Sequence, residues 1–354
     1  MNSLNKKIEF HILQSFPVSC LNRDDVGSPK SAVIGGVNRA RVSSQCWKRQ
    51  VRQTMHELGI NLGIRTKNIE ALLNKAFLNA GANTESAEAS AKSIAGALAK
   101  DTLIFVSEND LNILSEYASE KGFDFKDTDE KTILKDISKL FKGMAVKNKA
   151  LNGIDIALFG RMVAATKEMN VEASASFSHA ISTHQVSTDI DYFTALDDMQ
   201  EDDDQGASHI GTNEFNAATY YRYICLDINT LASNLGITDI ETDRADVEKA
   251  IETFVKALVI AVPTARQTTM SAASSWDYAK VLIREGQPLQ MNFDKPVRAK
   301  GEGFLKPSIE ELNSQIDNRK KLLGSLYSSS AELEWGLDSN YSIDDLIKDI
   351  KAVI

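Results

Sequence analysis

Some kinds of chemistry have almost no material in this sequence. Only three of the 354 residues are cysteines (Cys20, Cys46 and Cys225), and none stands in CxxC spacing. An odd, scattered set argues against both a disulfide framework and a thiolate metal knuckle, and it fits a reducing compartment. No apolar run approaches the roughly 20 residues that a membrane-spanning helix needs. The opening MNSLNKKIEFHIL passes from charge straight into a strand-like alternation, unlike a secretory leader. A soluble, cytoplasmic protein with no membrane partner is the expectation. Phosphate loops of the GxxxxGK[ST] and GxGxxG kinds are absent, as are a GxSxG elbow and an HExxH helix. Gly35-Gly36 reads as a turn. Neither a metal nor a cofactor is expected.

One more absence is local. From Val26 to His56 there is no Asp or Glu, while Lys30, Arg39, Arg41, Lys48, Arg49 and Arg52 all fall inside. The window carries +6 in a chain whose net charge is −9, so the remainder carries −15. An acidic average therefore hides a basic segment suited to an anion-binding face. A composition of 43% apolar and 25% charged residues is that of a folded protein and excludes disorder.

Along the chain, KKIEFHILQSF (6–16) places Ile8, Phe10 and Ile12 on one face of a half-buried strand. A turn-rich loop is expected from Pro17 to Arg39. Ser43 stands where a helix cap belongs, and SSQCWKRQVRQTMHEL reads as the helix it opens. There Cys46, Val51 and Met55 face inward, and Lys48 and Arg52, at i and i+4, share one outer track. Residues 66–145 are helical in pattern, with breaks near Gly81–Asn83, Asn109 and Gly122–Asp129. Strands are expected at Ile154–Phe159, Ala173–Ile181 and Tyr220–Ile228, and helices at Arg244–Val262, Lys306–Leu323 and Ile343–Val353. Together they predict an α+β fold, a sheet with helices on one face.

Two clusters invite other chemistry. His179 and His184, with Asp189, Asp191 and His209 nearby, offer general acid–base groups, but their spacing is not that of a helical zinc pair. The run Asp197–Asp204 holds six carboxylates in eight residues and lacks calcium-loop spacing, so it reads as an exposed, solvated or partner-facing loop tip. The features suit single-stranded RNA better. Arg39, Arg41, Lys48, Arg49 and Arg52 form a basic track, and Ser43, Ser44 and Gln45 supply neutral donors at a helix start. Tyr192, Phe193 and Ile210 can wedge between bases, although core packing of the two aromatics remains the other reading.

These residues carry a family resemblance. SCLNRDD (19–25), IGG (34–36), RARVSSQ (39–45) and Lys48-Arg49 resemble the start of CasC, the backbone subunit of the type I-E Cascade complex in the RAMP superfamily. GIDIALFGRM (153–162), SHAISTHQV (178–186), DIDYFTALDD (189–198), HIGT (209–212), YRY (221–223) and GFLKPS (303–308) continue it. The resemblance implies a ferredoxin-like, RRM-type palm (1–58 and 146–354), helical fingers (59–145) and a long β-hairpin thumb (about 186–219). It also implies copies stacked head to tail along CRISPR RNA, presenting it to target DNA beside CasA, CasB, CasD and CasE, with no catalysis. By the same resemblance Arg23, Arg41, Ser43, Gln45, Lys48, Arg49 and Arg52 hold phosphates, while Met162, Phe193, Thr194 and Ile210 flank a displaced nucleotide, with Tyr192 and His209 also counted among the RNA-binding residues. Tyr192 stands where the best-known members carry a tryptophan. The competing readings are a RAMP-type endoribonuclease using His179 or His184, and a scaffold whose basic helix binds an acidic neighbour.

Overall fold

The opening strand, Lys6–Ser19, is buried on both faces rather than one. Ile8, Phe10 and Ile12 lie on one side, as their alternation predicts, but Glu9, His11 and Leu13 on the other are equally inaccessible. The structure, a computed structural model, describes residues 6–60, 62–99, 102–144, 153–195, 209–237, 243–299, 301 and 303–354. The chain divides into two compact units. One comprises Lys6–Thr54, Phe177–Cys225 and Phe254–Ile354; the other holds Met55–Ser176 with Leu226–Thr253.

In the first unit the opening strand runs antiparallel to Tyr278–Glu285, with Phe10 opposite Val281, and Ser329–Trp335 lies beyond. On its other side follow His209–Asp227, Ala180–Ser182, Val37–Val42 and Ser31–Ile34. The last two form a hairpin over Gly35 and Gly36, both at positive φ, so part of the expected loop is sheet. Helices cover both faces, which corrects the one-sided arrangement. The end of helix Arg244–Ile260 brings the Phe254 ring edge-on to Phe10, 6.4 Å between centroids. Leu312 and Ile316 of helix Leu305–Leu323 pack with Leu13, Tyr221 and Leu282 on the opposite side.

Burial on both sides forces the strand's polar groups to find partners, because an unpaired buried charge costs several kcal/mol. Glu9 is held by Arg284 at 2.7 Å, by the Tyr223 hydroxyl at 2.8 Å and by the Leu289 N–H at 2.8 Å. His11 Nδ1 meets the Tyr221 hydroxyl at 2.9 Å, and burial pushes its pKa down to about 3, so the ring is neutral.

The second unit is helical. Helices Ile69–Asn79, Thr84–Leu98, Glu108–Glu120 and Glu130–Met144 bury Leu73, Phe77, Ile94, Leu114, Ile133 and Ile137 together. Asn68, Asn83 and Ser107 cap the first three, Ser107 in a reciprocal box with Asp110. Ile154–Phe159, expected as a strand, is a short helix. Ile154 through Leu158 are all buried, and an apolar run that short carries no period to tell helix from strand. The fold is α+β, an RRM-type antiparallel sheet with a helical insertion and a long β-hairpin.

Candidate nucleic-acid interface

The basic helix, Ser44–Glu57, is built to show cations outward. Ser43 caps it, its hydroxyl accepting from the Cys46 N–H at 3.3 Å, while its own N–H donates to Asn22 Oδ1 at 2.9 Å. Ser43 is therefore held by the helix start, whereas Ser44 is half-exposed and Gln45 exposed at its first turn. Trp47, Val51 and Met55 face the core, and Cys46 is half-buried. Trp47 is gripped by Arg222, whose guanidinium lies 3.6 Å from the ring centroid and donates to Gln14 at 2.5 Å. Burial pushes the Arg222 pKa down to about 9. That clamp fixes the helix rotation and leaves Arg49 exposed and Arg52 half-exposed. Lys48 lies with its ammonium 5.7 Å from the Phe177 ring centroid, and burial lowers its pKa.

Beside the helix, Arg41 Nε donates to the Ser31 carbonyl at 3.3 Å, and its guanidinium lies 3.3 Å from His179 Nδ1. Partial burial lowers the His179 pKa, and the Arg41 and Lys30 charges lower it further. The histidine thus registers a positive field at its own surface. Arg23 stands exposed in the turn after the opening strand, lining one cleft with Arg49.

Arg39 does not join them, which corrects its place in the track. It is fully buried, and its guanidinium donates to the carbonyls of Ser182 at 2.7 Å, Phe293 at 2.9 Å and Asp294 at 3.3 Å. His184 is likewise committed. Nδ1 lies 2.8 Å from the Gln185 carbonyl, Nε2 accepts from the Thr219 N–H at 3.2 Å, and the ring stacks on Phe304 at 3.6 Å. Burial is the first cause that holds its pKa below the usual histidine range.

The hairpin Asp189–Ala195 with His209–Asp227 pairs Tyr192 with Thr212, Phe193 with Gly211, Thr194 with Ile210 and Ala195 with His209. Tyr192 is 70% and Phe193 42% exposed, so neither is a core residue. As neighbours on one strand they point to opposite faces, and a single wedge of both is excluded. The acidic run Asp197–Asp204 lies outside the described residues. Met162 belongs to the helical unit, where it is 82% exposed beside Arg161, itself buried against Asp110 at 2.5 Å.

Sequence reading missed Arg266, which lines the Arg23–Arg49 cleft from a segment more than 200 residues later. No local pattern marks it. Among the described residues no group of His, Cys, Asp or Glu is arranged to hold a metal ion, and no helix is long and apolar enough to cross a membrane.

A family model described as CT1975-like protein matches residues 8–346. Two solved structures share the fold. A chain of a CRISPR RNA-guided surveillance complex, pre-nicking, is 24% identical, with 98% of this chain and 99% of that one covered and a TM-score of 0.77. A chain of a second CRISPR RNA-guided surveillance complex is 21% identical, with 98% of each covered and a TM-score of 0.62. No curated protein matches.

Proposed function

The chain belongs to the CT1975-like protein family, and from that premise we propose that it is the RNA-holding backbone subunit of a Cascade-type CRISPR surveillance complex. The observation that carries this reading is the pair of exposed arginines Arg23 and Arg49 around a helix start, with Arg41, Lys48 and Arg52 half-buried beside them. Single-stranded RNA offers one negative charge per nucleotide, and contacts to phosphate are indifferent to base. A holder of arbitrary guides needs that indifference, because pairing and not protein contact reads the sequence.

In this reading copies oligomerise head to tail along the spacer, beside CasA, CasB, CasD and CasE in the cytoplasm, and the guide pairs with target DNA. Residues 1–58 and 146–354 act as palm, 59–145 as fingers and 186–219 as thumb. Tyr192, Phe193 and Thr194, with His209 and Ile210 across the hairpin and Met162, flank a displaced nucleotide. Ser43, Ser44 and Gln45 offer the helix start to phosphate. The subunit is non-catalytic; the endoribonuclease alternative retains only His179, since both ring nitrogens of His184 are engaged.

Native mass measurement of the protein with RNAs of stepwise increasing spacer length tests the reading. Copy number should rise by one for each fixed increment of RNA. A constant stoichiometry would overturn the backbone role, and RNA recovered in fragments without added metal would put the endoribonuclease in its place.

A further inference from the structure

The loop Thr264–Arg266 brings a third arginine to the cleft beside the basic helix. The cleft, about 900 Å³, takes Arg23 from the turn after the opening strand, Arg49 from the helix and Arg266 from the loop. Gln50 Nε2 donates to Thr264 Oγ1 at 3.1 Å, tying the loop to the helix one residue past Arg49. Arg266 adopts a left-handed conformation, φ +56°, which few residues other than glycine take without strain. Its Nε is buried and has no hydrogen-bond partner among the described residues. None of the three arginines forms an ion pair among those residues. Asp24 and Asp25 also line the cleft. Asp24 Oδ1 accepts from the Val26 and Ser28 N–H groups at 3.0 and 2.9 Å, so it braces its own turn.

We propose that Arg266 joins Arg23 and Arg49 in a fixed cradle for one phosphodiester group of bound RNA. This rests on the RNA-holding reading and adds to it a ligand that the basic segment does not contain. Three guanidiniums against two carboxylates leave one positive charge, matched to the monoanionic phosphodiester rather than to the dianion of free phosphate. Planar N–H forks suit tetrahedral phosphate oxygens, and donors held by a strained loop and a capped helix lose little freedom on binding. The cradle contacts no base edge, so its contribution is the same for every guide sequence.

The test is binding of a short single-stranded oligoribonucleotide to the full chain over a salt series. Arg266→Gln should weaken binding about tenfold, roughly one charge-assisted contact, and reduce the slope of log K against log salt by about 0.7. Arg266→Lys should keep the slope. Hydrogen exchange on the unaltered chain should show RNA protecting the amides of 265–267, a readout that stands even where Arg266→Gln folds poorly. Unchanged slope, or no protection, overturns the cradle while the RNA-holding reading survives. Displacement of the RNA by equimolar inorganic phosphate also overturns it, in favour of a free-anion site. Failure of the unaltered chain to bind RNA overturns the subunit reading and this inference together.

Discussion

The Phe193 ring crosses the backbone of its cross-strand partner Gly211 so closely that a Cβ on the glycine would fall 2.7 Å from Cε1. The hairpin thus seats an aromatic ring on the one residue type that leaves room for it, an arrangement that also shields the glycine backbone.

Gly211→Ala should therefore displace the Phe193 ring without unfolding the protein, since the ring is partly exposed. In RNA carrying 2-aminopurine at successive positions, the fluorescence step that marks an unstacked nucleotide should shrink or move. Phe193→Ala should weaken RNA binding by about 1–3 kcal/mol if the ring stacks on a base. Equal signals from Gly211→Ala and the unaltered chain would show that the seat does not set the ring's pose.

Lys48→Glu combined with Arg52→Glu should lower affinity by a similar factor for RNAs of unrelated sequence, because phosphate contacts carry no base information. Filter binding with a set of arbitrary guides measures it. A loss confined to some sequences would contradict the phosphate role.

Arg39→Gln should act on stability. It removes donors from three carbonyls in a buried setting, at a cost of about 3 kcal/mol, visible as a lower denaturation midpoint. RNA affinity of the folded fraction should be unchanged.

His11 makes the fold acid-sensitive in a defined direction. The folded pKa, about 3, lies below the unfolded value near 6.5. Below pH 6.5 the unfolded chain therefore binds a proton that the folded chain refuses, and stability falls by about 1.4 kcal/mol per pH unit until about pH 3. Above 6.5 this residue adds no pH dependence. His11→Gln should flatten that part of the stability–pH curve in urea titrations between pH 6.5 and 4.5. An unchanged slope would mean that other groups carry it.

What was legible in the sequence had a period or a cap. The helices between Ile69 and Met144 showed through their breaks, and Ser43 announced the basic helix. What failed to show was burial on both sides. Tyr278–Glu285 is covered almost throughout and has no alternation to read, and Ile154–Phe159 is apolar at nearly every position. Charge counting found the basic segment but could not separate Arg39 from Arg41. The carbonyls that claim Arg39 include those of Phe293 and Asp294, which arrive only through tertiary structure. Arg266 is the mirror case, a single residue whose neighbours in space are far away in sequence.

The pairing of Glu9 with Arg284 also orders events during synthesis. A ribosome releases the opening strand and the whole basic segment long before it makes Tyr278–Glu285, and until then Glu9 has neither its guanidinium nor its ladder partner. Closing that strand early would bury a bare carboxylate, a penalty of several kcal/mol. The cationic stretch thus stays outside a finished sheet while about 230 further residues emerge, up to the end of Tyr278–Glu285, and so distant a contact is slow to form. Any phosphate contacts made by that stretch would therefore wait for Tyr278–Glu285 to pair with the opening strand.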